Sequence, residues 1–161
     1  MKKTFISIII FFFAGFCTMA QTNDYGYHGM FLYNFIKYTE WPAGSSVVNI
    51  AVIDNVSATT AVAKVTTAKG MQVKNIKMAD NLASYQVIFV PSGSSSSLAK
   101  ILEKTKGKAI LVVTEQENLV RKGACFSFKV VGDKMKFQIN QEAIKSAGLK
   151  VASTLSSMAV N

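Results

Sequence analysis

The amino-acid sequence predicts an α/β domain. It has one mixed, largely parallel sheet with helices on both faces, and a late β-hairpin leading into a C-terminal helix. Three observations predict it. Short, nearly continuous apolar runs recur at Val47 to Ile53, Tyr85 to Val90 and Ala109 to Val113, as strands buried on both faces require. Segments of helical character lie between them, the alternation that builds βαβ units and a parallel sheet. Finally, Ala124 to Val130 and Lys134 to Ile139 flank Gly132-Asp133, a tight-hairpin signal.

The first helix is expected over Tyr25 to Trp41, ended by Pro42, because proline cannot continue a helix. At about 100° per residue, Phe31, Leu32, Phe35, Ile36 and Tyr38 gather on one broad face and form the expected core stripe. Met30, Tyr33 and Trp41 fall on the other side, around Lys37. Apolar side chains on a second face need cover from a loop or from another protein. Two explanations therefore stand. Tyr33 and Trp41 pack beneath the loop Ala43 to Ser46, or Met30, Tyr33, Lys37 and Trp41 form a partner-binding or homodimer surface.

A second helix is expected over Ala58 to Lys69, stopped by Gly70, then a strand over Gln72 to Met78 in which the apolar residues Val73, Ile76 and Met78 alternate less cleanly. Pro91 and a Ser/Gly loop lead into a helix from Ser97 to Lys104, and Thr114 caps a short helix ending near Arg121. In the second hairpin strand Met135, Phe137 and Ile139 alternate with Lys136 and Gln138, so one face is buried. Asn140 stands where a helix N-cap belongs, with Glu142 in the first turn, and Gly148 suits the left-handed residue that ends that helix. Leu149, Val151, Leu155 and Met158 anchor a last helical segment capped at Ser153.

The chain of 161 residues, 50% hydrophobic, favours one domain. Lys2 and Lys3 precede the apolar run Phe5 to Phe16, and Thr18-Met19-Ala20 fits a small-x-small cleavage site before Gln21. That is a secretory signal peptide, too short and wrongly flanked for a membrane span. Residues 1–20 are expected to be removed on export, leaving residues 21–161 as the domain. Cys17 raises a lipid-anchor alternative, disfavoured because bulky Phe16 stands where the lipoprotein peptidase expects a small residue.

The formal net charge is +9, or +7 without Lys2 and Lys3. A basic protein can meet nucleic acid, anionic lipid or an acidic partner. Here the lysines are scattered and no basic run is interleaved with aromatics; with export, this disfavours nucleic acid and points to a solvated basic surface.

Reaction chemistry is thinly represented, and no catalytic, cofactor-binding or metal-binding residue is assigned. His28 is the one histidine, so a two-histidine metal site is excluded. Its place on the inner side of the first helix suits packing better than catalysis. Cys125, in a strand, suits a small hydrophobe better than a reactive thiol. No Cys/His/Asp/Glu cluster of the kind a metal needs is present in the sequence. Glu115 and Glu117 are expected at a helix start, serving its dipole. One loop has ligand character, with Ser92, Gly93, Ser94 and Ser95 following a buried strand and opening a helix. Open α/β sheets bind anions there. It lacks the GxGxxG spacing and the P-loop lysine, so a serine-rich cap is the stronger explanation, with a small-ligand sensor site as the alternative.

Several segments together resemble one family. They are FLYNFIKYTEWP near the start, YQVIFVPSGSSSSLAKIL and AILVVTEQENLVRKGACFSF in the middle, and QIN, then Ala143, then AGLKV before a short Leu/Met/Ala segment. In this order they resemble the YfiR-like family of periplasmic proteins, over roughly Tyr27 to Ala159. The resemblance implies a periplasmic regulator, not an enzyme. It would bind the periplasmic sensor domain of an inner-membrane signalling enzyme, typically a diguanylate cyclase and alternatively a histidine kinase, and hold it inactive. Release under envelope stress would raise cyclic dimeric GMP and promote biofilm growth. Several family members look disulfide-supported. After cleavage this chain would keep only Cys125, so redox control through an internal bridge is not expected.

Overall fold

The computed structural model describes residues 25–42 and 48–160. The expected signal peptide, Cys17, the loop Ala43 to Ser46 and Val47 lie outside the described residues.

Helix α1 spans Tyr25–Lys37 and is followed by the two-residue strand β1, Thr39–Glu40. Then come β2 (Asn49–Ile53), α2 (Val56–Thr66), β3 (Gln72–Ile76), β4 (Val87–Val90) and α3 (Leu98–Thr105). The rest is β5 (Leu111–Thr114), β6 (Phe126–Val131), β7 (Lys134–Ile139), α4 (Gln141–Ser146), β8 (Lys150–Val151) and α5 (Ser153–Ser157). Six strands form one sheet in the order β3-β2-β4-β5-β6-β7, parallel except that β7 returns antiparallel to β6. This is the mixed, largely parallel α/β sheet that the apolar runs predict.

The side-chain alternation of the strands divides the core in two. Ile50, Val52, Val87, Phe89, Leu111, Val113, Phe126, Phe128 and Phe137 meet α1, α2 and α4 on one face. Ala51, Ile53, Ile88, Val90 and Val112 meet Leu98 and Ile101 of α3 on the other. Both faces are covered, as a parallel sheet demands. Helix α1 lies against α2 so closely that a Cβ on Gly29 would stand 3.1 Å from Val65 Cβ. At the hairpin Gly132 takes φ +61°, the left-handed conformation that a two-residue loop between twisted strands needs.

Three expectations are corrected. Helix α1 stops at Lys37, short of Trp41, because the chain turns to pair Thr39 with Val151 and Glu40 with Lys150. Buried Thr39 also donates its hydroxyl to the Phe35 carbonyl at 2.6 Å, closing the last helical turn. Tyr38 thereby leaves the expected core stripe and is 39% exposed, and His28 and Gly29 take inner positions beside Leu32, Phe35 and Ile36. Second, Thr114 does not cap a helix. It ends β5, fully buried, its hydroxyl 2.7 Å from Ser127 Oγ and 3.2 Å from the Phe126 carbonyl. The expected helix there is a single 3-10 turn, Leu119–Lys122, entered through Asn118 at φ +65°. Third, Leu149 and Val151 belong to the β8 connection, Ala152 occupies the cap position expected for Ser153, and Met158 lies 60% exposed.

Candidate functional site

Strand order places a topological switch between the adjacent strands β2 and β4, whose connections leave in opposite directions, the position at which open α/β sheets bind ligands. Ser92, Gly93, Ser94 and Ser95 stand at that end of the sheet, within the 3-10 helix Ser92–Ser97 that precedes α3. Several of their polar groups are engaged within the chain. Ser92 N–H donates to Glu115 Oε2 at 2.7 Å, and Ser94 Oγ donates to the Ile53 carbonyl at 3.2 Å. Tyr25 OH donates to the same Glu115 oxygen at 3.3 Å and accepts from Asn55 Nδ2 at 3.3 Å. The start of α1 is thus tied to the ends of β2, β4 and β5. The carboxylate of Glu115 occupies the place a bound anion would take at the start of the serine helix. This corrects the expected role of Glu115. It does serve a helix start, but that of the serine segment, distant in sequence.

Beside this network His28, Ser92, Glu115, Glu117, Phe128, Lys129, Val130 and Met135 border a basin of about 360 Å³. The His28 ring is 4% exposed and wedged among aromatic rings, 4.6 Å from Phe128, 5.2 Å from Tyr25 and 5.6 Å from Phe89. It packs as an aromatic member of the core, as its inner position on α1 suggests.

Cys125 is buried in the core cluster that also holds Phe89 and Phe128, and it borders a separate cavity with Leu102, Thr105, Asn140 and Ala143. Burial pushes its thiol from 9.0 up to about 11, against a smaller opposing effect of a backbone hydrogen bond to Val112. Two units of pKa cut the thiolate fraction at neutral pH about a hundredfold. Alkylation by iodoacetamide at pH 8, followed by mass spectrometry, should therefore be about a hundredfold slower than for an unhindered cysteine, and become fast in denaturant. The linkage sign follows. The folded thiol keeps its proton after the unfolded one has lost it, so this residue's contribution to stability holds below about pH 9 and falls away through pH 11.

The residues expected to form a partner surface divide. Met30 is 54% exposed and Lys37 is exposed, both on the outward face of α1 but two helical turns apart. Tyr33 is half-buried at the α1–α2 side with Lys69 Nζ 5.6 Å from its ring centre, and Trp41 is half-buried against the core. The Trp41 indole N–H is buried with no acceptor among the described residues. The alternative in which Tyr33 and Trp41 lie under Ala43 to Ser46 falls outside the described residues.

Sequence reasoning missed the neighbouring stripe of α1. Tyr27, Phe31, Asn34 and Tyr38 run along the helix beside the hairpin and the C-terminal turn. Six exposed large hydrophobic residues belong to these neighbouring elements: Tyr27 (57%), Met30, Tyr38, Val130 (66%), Val131 (48%) and Met158. The unbroken Val130-Val131 pair at the tip of a hairpin, where polar residues are usual, is the signal that marks the region in the sequence.

No group of His, Cys, Asp and Glu among the described residues could hold a metal ion, and no described helix is long and apolar enough to cross a membrane. A sequence profile of YfiR/HmsC-like proteins matches residues 25–160. No curated protein matches the chain by sequence.

Proposed function

We propose a function from one premise: this chain belongs to the YfiR/HmsC-like family, whose members are periplasmic regulators. After export it binds the periplasmic sensor domain of an inner-membrane signalling enzyme of the diguanylate cyclase type and holds that enzyme inactive. Envelope stress releases the partner, cyclic dimeric GMP rises, and biofilm growth follows. The protein itself performs no reaction.

Repression of this kind is sequestration. A regulator moves its partner from mostly active to mostly inactive only through a difference in affinity for the two states, about 5.5 kcal/mol for a shift from 1:99 to 99:1. A binding surface of adequate strength needs desolvated apolar and aromatic groups. The observation that carries the reading is that exposed Tyr27 and Val130 line one cavity and exposed Tyr38 and Met158 line another, with Phe31 of α1 shared by both; exposed apolar groups brought together in this way mark interaction sites.

The test separates exposed from half-buried members of the surface. Met30→Asp and Lys37→Glu alter side chains that contribute little to the core. Their expected effect is about a tenfold loss of sensor-domain binding with an unchanged melting temperature, in line with the cost of removing an interface contact. Tyr33→Ala and Trp41→Ala are expected to lower melting temperature as well, because both rings pack against the core. Undiminished binding by the Met30 and Lys37 variants would exclude the outward face of α1 as the contact.

A further inference from the structure

We propose that the outer edge of β7 is a docking strand for an extended segment of a protein partner in which acidic and apolar residues alternate. This rests on the regulatory function above and names the chemistry of the partner that it requires.

Among the described residues β7 is the last strand of the sheet and pairs only with β6. Val160 N–H reaches the Phe137 carbonyl from outside at 2.8 Å, so the main-chain groups of Phe137 point away from β6. Antiparallel alternation then turns those of Met135 outward too. The Met135 N–H and carbonyl find no main-chain partner among the described residues outside the sheet. Such an edge is a template for another strand, and the C-terminal tail already uses one of its acceptors.

The side chains along this edge specify what fits. Register pairs Met135 with Val130 and Phe137 with Phe128, which places Met135 on the α1 side of the sheet and Lys134 and Lys136 on the other. On the α1 side Tyr27, Phe31, Val130 and Met135 border a cavity of about 530 Å³ that opens along the edge residues Asp133, Lys134 and Lys136. A strand laid on β7 would put the side chain opposite Met135 into this apolar space. Its two neighbours would stand beside Lys134 and Lys136, both exposed, where opposite charge stabilises a cross-strand pair and like charge destabilises it. The pattern that satisfies both faces is acidic, apolar, acidic. Strand addition also supplies what a docked helix or a lipid surface cannot, main-chain partners for Met135.

The probe is an end-capped peptide of alternating Glu and Val, titrated into the ¹⁵N-labelled protein, with two controls. One control alternates Lys and Val; the other is the Glu/Val peptide N-methylated on its central Val. The expected result is that the amides of Tyr27 and Met135 shift, with binding about tenfold tighter than for either control, the scale of two cross-strand charge pairs. The double variant Lys134→Glu with Lys136→Glu should reverse the preference between the Glu and Lys peptides without changing melting temperature. The proposal is overturned by shifts that avoid Met135 or by equal binding of the N-methylated peptide. It is also overturned if ultracentrifugation without peptide shows two copies joined at this edge, or if binding occurs only to vesicles containing phosphatidylglycerol. Cellular cyclic dimeric GMP distinguishes the two levels of the account. If deleting the gene leaves it unchanged while the peptide still docks on β7, the repressor function fails and the docking strand stands. If deletion raises it but the charge-reversed variant represses like wild type, the docking strand alone fails.

Discussion

Replacing Phe35 by Ala is expected to lower the free energy of unfolding by about 3–5 kcal/mol, the usual cost of removing a buried phenyl ring from a packed core. Phe35 is fully buried and stacks on Phe126 with ring centres 4.1 Å apart and planes within 6°. It also meets Phe137 edge-on at 5.0 Å and Phe128 at 5.9 Å. This one side chain therefore joins α1 to both strands of the hairpin. Little in the surrounding aromatic cluster can move to fill the gap, because Phe31 and Phe128 already contact one another at 5.7 Å. Domains of this size are stable by about 5–15 kcal/mol, so the variant should sit near the limit of folding. Urea unfolding followed by tryptophan fluorescence measures it directly, since Trp41 lies just beyond the end of the same helix. A loss below about 0.5 kcal/mol, the scale of a surface change, would mean that α1 is not seated on the sheet as described.

Replacing Asn140 by Ala should cost about 2 kcal/mol, from two separate bonds. Asn140 Oδ1 accepts the Ala143 N–H at 2.9 Å and caps α4, while Nδ2 donates to the Val120 carbonyl at 2.7 Å. The backbone N–H of the same residue donates to the Cys125 carbonyl at 2.9 Å, so Asn140 links the hairpin, the Leu119–Lys122 turn and α4. Asn140→Asp separates the contributions. It keeps the capping oxygen but sets an oxygen against the Val120 carbonyl. An aspartate variant as stable as wild type would show that the bond to Val120 contributes nothing, and an alanine variant as stable would remove Asn140 as the organiser of this corner.

What the sequence disclosed and what it hid follow one physical division. The strands were legible because burial on both faces leaves an unbroken apolar run, as in Val87–Val90 and Leu111–Thr114. The hairpin and the α4 cap were legible because Gly132 and Asn140 act on residues two or three positions away. The misread features depend on partners far along the chain. Thr39 and Glu40 continue the helical pattern of α1 locally, and only pairing with Val151 and Lys150 makes them a strand. Thr114 has the chemistry of a cap, yet its hydroxyl is taken by Ser127 in the neighbouring strand. Glu115 reads as a helix-start acid, and its partners are Ser92 and Tyr25, brought together by the sheet.

The candidate surface shows the same limit. Helical spacing alone put Met30 and Lys37 outside, and they are exposed. It could not foresee that Tyr33 would turn towards Lys69, or that Tyr27 would border an open cavity with Val130 and Met135. Those positions depend on how α1 lies against α2 and the hairpin, and no local pattern encodes that contact.

The proposed repressor function is tested most directly by the cellular level of cyclic dimeric GMP after deletion of the gene. Deletion is expected to raise the level, and wild-type protein exported again to the periplasm is expected to return it to its original value. A level that stays the same through deletion and restoration would contradict the proposed function.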